Sequence, residues 1–208
     1  MGHGEEIDAG VSLLDLQSPR LTAQPWQDCS VVELAALFDP EVVCHLPPVF
    51  HAAQNDAERR SRLAGLSRKA EVFALARRDL PRRPCVGLLI LSHAAAAADT
   101  GENTCHLGYL FAKSAWGAGL ASELISALQR HLAVGPPVKV CGGVEPDNHA
   151  SARVLEKAGF QRDSDGTGGE IRYSWTSGRA QPDECGLRGF GGWCCGLMNV
   201  PLRRSRNA

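Results

Sequence analysis

Leu120, Leu124, Leu128 and Leu132 recur every four residues with Ile125 beside them, while Glu123, Gln129 and Arg130 fall elsewhere. This spacing predicts a helix starting at Leu120. Just before it, Gly117-Ala118-Gly119 is a tight turn, and Cys105 to Ala112 reads as a strand. Upstream, Arg20 to Trp26 alternates as a first strand, with Pro25 at its edge or end. Ser30, with Glu33 three residues later, caps a helix through Phe38. Asp39 to Pro48 is a loop, and Gln54 to Leu66 is a second helix rich in Arg and Glu. Glu71 to Arg77 and Cys85 to Ser92 are strands joined by the Pro-rich turn Leu80 to Pro84. Val86 to Leu91 is apolar on both faces, so its strand belongs in the middle of a sheet. Residues Ala94 to Asn103 form a turn or a small excursion. Downstream, Val138 to Glu145 is a strand that runs through a turn into a short helix ending at Gly159. Phe160 to Arg162 and Glu170 to Trp175 close the pattern around a Gly- and Asp-rich turn. The order predicts an α/β (α+β) domain with a mixed central sheet and helices on its faces.

The pattern divides the 208 residues into a leader, 1–17, a domain, 18–176, and a tail, 177–208. In the leader, Val11 to Leu16 is an apolar patch suited to packing on the domain. The tail has six glycines and five arginines with little periodicity, and is expected to pack loosely outside the domain. Its Phe190, Trp193, Leu197 and Met198 are available to dock on the domain or on a second subunit, and a monomer and a homodimer both stay open. The net charge is −1, which favours neither a nucleic-acid nor a membrane partner. No apolar run approaches a membrane span. The polar, acidic start is not a secretory signal, and Gly2 lacks the downstream Ser or Thr of a myristoylation site. The eight cysteines include no Cys-x-x-Cys pair, which fits reduced thiols in a cytoplasm. Cys44-His45 and Cys105-His106 are adjacent residues, which point to opposite faces of a strand; no metal is expected.

Strand, glycine turn and helix start together make a generic anion site. The first N–H groups of a helix lack internal partners, and the helix dipole favours negative charge there. No Gly-Lys-Ser/Thr follows the turn, so it is not the phosphate loop of nucleotide hydrolases. The third glycine of a dinucleotide fingerprint is also missing.

Taken together, Tyr109-Leu110-Phe111-Ala112, Trp116-Gly117-Ala118-Gly119-Leu120-Ala121-Ser122-Glu123 and Asn148-x-x-Ser151-x-x-Val154-Leu155-Glu156-Lys157-x-Gly159-Phe160 resemble the GCN5-related N-acetyltransferases (GNAT). The ribosomal-protein alanine acetyltransferase branch looks nearest. The resemblance spans roughly Ser18 to Trp175. It implies acetyl-CoA bound between two splayed parallel strands, with its pyrophosphate over Trp116 to Ser122, on backbone N–H groups around Gly117, Gly119 and Leu120. Ala118 and Ala121 fall inside this loop. Where the family usually carries Gln or Arg, three residues before the first glycine, this chain has Ser114. By the same resemblance the pantetheine arm lies between Leu110-Phe111-Ala112 and Val140 to Val144, where Gly142 and Gly143 leave room for a ligand. Asn148 matches a CoA contact; its other role is N-cap of the next helix.

The implied reaction is direct acetyl transfer to a primary amine. Only the neutral amine is nucleophilic, and an α-amino group, with a pKa near 8, needs far less help than a lysine, near 10.4. Glu145 is the first candidate base, Glu170 the second and His106 the third. Many family members use a tyrosine as the acid that protonates the leaving thiolate; here Leu155 takes its place, and Ser151 is the substitute, its competing role being a hydroxyl at the helix start. Val42, His45, Leu46, Phe50 and His51 are candidates for the acceptor side, or else local core. Arg59-Arg60-x-Arg62 reads as a solvated face. The branch tilts the acceptor towards a protein or peptide N-terminal amine. A small amine (polyamine, amino acid or antibiotic) is the alternative, as are a non-catalytic CoA sensor and a generic phosphate-binding domain.

Overall fold

The computed structural model describes residues 13–51, 53–94, 103–165, 169–178 and 198–199. Strand β1 (Leu21–Pro25) leads into helices α1 (Val31–Leu37), α2 (Pro40–Val43) and α3 (Asp56–Leu66). Strands β2 (Glu71–Arg77), β3 (Cys85–Ala94) and β4 (Asn103–Phe111) follow, then α4 (Leu120–Leu132), β5 (Val138–Val144) and α5 (His149–Lys157). Strands β6 (Gln161–Asp165), β7 (Ile171–Thr176) and β8 (Met198–Asn199) complete the order. The strands form a mixed sheet, β1-β2-β3-β4-β5-β7-β6, with β8 added on β4.

Local chemistry accounts for the helix starts. Ser30 and Glu33 form the reciprocal capping box expected at α1, and Asn55 caps α3 through the Glu58 N–H. The Asp39 to Pro48 stretch is not all loop. Asp39 accepts from the Glu41 N–H at 2.9 Å and Pro40 takes the first helical position, which suffices for the single turn of α2. The expected excursion after β3 falls on 95–102, outside the described residues. So do Phe190, Trp193 and Leu197 of the tail.

Two apolar cores sandwich the sheet. The larger joins α4 and α5 to one face through Leu107, Tyr109, Phe111, Leu124, Leu128 and Tyr173, and it also takes in Leu13 and Leu16 from the leader patch. The other lies under α1 to α3, with Leu34, Leu37, Phe50, Leu63, Leu88 and Leu110. This second core contains no residue of β5, β6 or β7. Among the described residues, the helices on the sheet's second face pack over its first half.

The site is set by one irregularity. β4 and β5 pair in parallel from Asn103↔Val138 to His106↔Cys141 and no further. Beyond that point Leu107 to Phe111 and Gly142 to Val144 diverge. The outer edges of both strands stay paired, β4 with β3 and β5 with β7, so a wedge opens between two supported strands.

Candidate active site

At the end of β4, Trp116 Nε1 donates to the Phe111 carbonyl at 2.7 Å and Ala112 N donates to Val86 O at 2.8 Å. These bonds fix the path of the loop that follows. Gly117 and Gly119 have φ of +72° and +74°, a left-handed conformation that glycine adopts without steric cost. Gly119 is the N-cap of α4 and supplies no capping side chain. The first N–H groups of α4, on Leu120, Ala121 and Ser122, have no partner within the helix and are available to an anion.

The loop is braced from the side. Arg20 donates to the Ala118 carbonyl at 3.0 Å and pairs with Glu123 at 2.7 Å. Burial alone would push the Glu123 carboxyl up, but hydrogen bonds from Ser18 and Arg20, with the Arg20 charge, hold it below the usual carboxylate range. Lys113, just before the loop, is held by Asp39 at 2.8 Å and Glu41 at 3.0 Å. Both of these basic side chains are committed to protein partners.

A cavity of about 240 Å³ opens over the helix start, lined by Gly117, Gly119, Leu120, Ala121 and Ser122 on one side and by Ala150, Arg153, Val154 and Lys157 of α5 on the other. Phe111 also lines it. Arg153 and Lys157 are exposed and one turn apart. The sequence reading missed both, although their spacing places them on one face of α5. They put positive charge on the α5 side of the cavity. Leu110, Ala112, Trp116, Ala118 and Asn148 do not line the cavity: Leu110 is buried in the second core, and Ala118 serves through its carbonyl.

Asn148 is 3% exposed and caps α5, accepting from the Ser151 N–H at 3.2 Å. Ser151 is fully buried, and its hydroxyl has no hydrogen-bond partner. The Tyr109 hydroxyl, also buried, is its neighbour and likewise meets no hydrogen-bond geometry. Burial pushes the Tyr109 phenol well up, with a smaller opposing effect from Ser151, so it stays protonated.

The carboxylates lie across the sheet from this cavity. The β5–β7 ladder ends at Val144↔Ile171, so Glu145 and Glu170 are the next residues outward on its two strands. Glu170 is 4% exposed and Glu145 half-buried. Val140, Val144 and Tyr173 pack into the α4–α5 core. Alternation therefore turns Glu145, Glu170, Arg172 and Ser174 to the other face, away from α4 and α5. His106 of β4 shares that face, and burial and the Arg172 charge lower its pKa.

The acceptor-side candidates separate. Val42, Leu46 and Phe50 are buried core, and the His51 Nε2 is bonded to Val43 O at 2.7 Å. His45 reaches the cleft mouth, with Nδ1 at 3.3 Å from Asp147 in the β5–α5 turn. The arginine run is not simply solvated: Arg60 pairs with Asp56 and donates to the Cys29 carbonyl, and Arg62 donates to Val49 O. Among the described residues no three His, Cys, Asp or Glu side chains converge as a metal site, and no helix is long and apolar enough to cross a membrane.

The family model "Acetyltransferase (GNAT) domain" matches residues 20–161. No curated protein matches the chain. Among solved structures it is similar to a GNAT-family acetyltransferase from Bacillus anthracis, with 16% identity, TM-score 0.53, 77% of this chain and 96% of that one covered. It is also similar to an acetyltransferase from Agrobacterium tumefaciens (18%, 0.53, 77% and 92%) and to an N-acetyltransferase from Staphylococcus aureus (16%, 0.55, 74% and 96%). With a diverged pair of parallel strands, a glycine loop at a helix start and a family match over most of the domain, the chain belongs to the GNAT family of acetyl-CoA-dependent N-acetyltransferases.

Proposed function

We propose that this enzyme acetylates the α-amino group of a protein or peptide N-terminus. The observation that carries this reading is the mixed charge on the face of β5 and β7 that turns away from α4 and α5. Glu145 and Glu170 stand there with Arg172 and His106, which does not make the acidic pocket that a polycationic amine would demand. A peptide end offers one amine to a carboxylate and backbone groups to the remaining side chains.

The residues present fit the co-substrate. The N–H groups of Leu120, Ala121 and Ser122 would hold its pyrophosphate, with Arg153 and Lys157 on the opposite side of the cavity, and the backbone of Leu107 to Phe111 would offer a strand edge to its extended, amide-bearing arm. Acetyl-CoA supplies an activated thioester. The protein's part is to hold it, to exclude water and to manage two protons. One of Glu145 and Glu170 accepts the proton of the attacking amine, Glu170 being the more enclosed. The Ser151 hydroxyl donates its proton to the departing thiolate and regains one from solvent once the products leave, with Tyr109 beside it. Because an α-amine is partly neutral at pH 7, positioning carries much of the rate.

The test is free-thiol release from acetyl-CoA with three acceptor sets: peptides with free N-termini, lysine peptides with blocked N-termini, and small amines. Turnover confined to free N-termini is expected, and loss in Glu170→Gln or Glu145→Gln identifies the base. Turnover confined to small amines would move the acceptor to that class. Binding without turnover on any acceptor would leave a CoA sensor.

A further inference from the structure

β8 lies inside the wedge that the co-substrate needs. Its Met198 and Asn199 pair in parallel with Tyr109 and Leu110 of β4, beyond the last β4–β5 pair at His106↔Cys141. It also touches β5 and α5. Its place is therefore bounded by both diverging strands and by the helix that carries Ser151 and Arg153. An open strand edge presents unpaired N–H and C=O groups and takes up an extended chain that can match them. Neighbouring strands sit about 4.8 Å apart, so one edge accepts one extended chain at a time. A parallel partner also needs a long connection, and residues 112–197 separate β4 from β8 in the chain.

We propose that the open edge of β4 is a strand-accepting site, that its occupant is this chain's own Met198–Asn199 segment, and that this segment competes with the pantetheine arm of acetyl-CoA for the backbone of Tyr109 and Leu110. The inference rests on the acetyl-CoA reading of the wedge. The enzyme is then partly self-inhibited. Its apparent affinity for CoA equals the intrinsic affinity scaled by the fraction of molecules with the wedge open. A partner that captures the C-terminal segment activates the enzyme without touching its chemistry.

The test uses the full chain with Met198→Pro and Asn199→Pro together. Proline has no N–H to donate and is tolerated in a ladder only at edges and bulges. Titration calorimetry with CoA measures affinity, and hydrogen exchange of the ligand-free protein reports on the segment covering residues 107–111. The expected result is a CoA dissociation constant at least about fivefold lower in the variant, with faster exchange at 107–111 and no change in melting temperature beyond a few degrees. Equal affinity in the two proteins, with CoA bound by both, overturns the competition and leaves the acetyl-CoA site standing. Failure of both to bind CoA removes the acetyl-CoA reading and the inference with it.

Discussion

Ser151 and Tyr109 bury two neighbouring hydroxyls, neither of which meets good hydrogen-bond geometry. A buried polar group without a partner costs about 1–3 kcal/mol, and native proteins keep few of them. Both sit against the wedge, one on the helix after β5 and one on β4. Ser151→Ala removes an orphaned oxygen while the backbone N–H of residue 151 still donates to Asn148. Stability should hold or rise slightly, whereas kcat should fall about ten- to a hundredfold, the lower range of general acid catalysis. Thermal melting and steady-state kinetics on one preparation separate these effects; a lower melting temperature with unchanged kcat would make the hydroxyl structural. His106 yields a second residue-level expectation. Burial and the Arg172 charge keep its folded pKa below 6.5. Above pH 6.5 the imidazole is neutral in both states. As pH falls below that value, the unfolded chain takes up a proton that the folded one refuses, so stability declines until the folded pKa is reached. His106→Gln should flatten this part of the melting temperature against pH profile.

Among the elements, α4 and α5 share the lining of the proposed anion site unequally. α4 contributes backbone N–H groups, α5 contributes charge, and Gln129 Nε2 ties them together by donating to Ala158 O at 2.8 Å. Replacing both Arg153 and Lys157 by Gln should raise the KM for acetyl-CoA about tenfold at low salt and weaken its salt dependence, while kcat stays within about twofold. An unchanged KM would mean that the α4 amides suffice. Glu123→Ala acts on the other side, since Arg20 then loses the partner that aims it at the Ala118 carbonyl. It should cost about 2–3 kcal/mol of stability and raise the same KM, read by denaturant unfolding and kinetics. Most elements were legible because local signals agreed: the four-residue leucine spacing marks α4, Ser30 and Glu33 mark α1, and Val86 to Leu91 marks a central strand. α2 was not, because one turn built on Asp39 and Pro40 has no room for periodicity. The glycine loop at a helix start was legible in the sequence, but the place of Arg153 and Lys157 opposite it was not. Exposed charges one turn apart look alike on any helix face until the opposing element is known. Val42, Leu46 and Phe50 were ambiguous for the opposite reason, since apolar residues after a first helix line a cleft or fill a core equally well.

Across the whole molecule, the sheet is two rigid halves joined by one short seam. β1 to β4 share antiparallel ladders on one side, β5, β7 and β6 share theirs on the other, and only the pairs from Asn103↔Val138 to His106↔Cys141 connect them directly. Helices α4 and α5 back both halves on one face, but the second core stops at β4. A ligand in the wedge therefore completes the sheet. Anything that binds the folded state alone stabilises it by mass action, about 2.7 kcal/mol at a hundredfold excess over Kd. The gain should not be spread evenly. In the Met198→Pro, Asn199→Pro variant, where β8 no longer covers β4, CoA should slow hydrogen exchange at 107–111, at 142–144 and at 120–122, and leave β1 and β2 nearly unchanged, because their ladders form without it. Uniform slowing over the whole sheet would mean that the halves already behave as one cooperative unit. Slowing confined to 120–122 would mean that only the phosphate end of the molecule is held and that the extended arm finds no strand edge in the wedge.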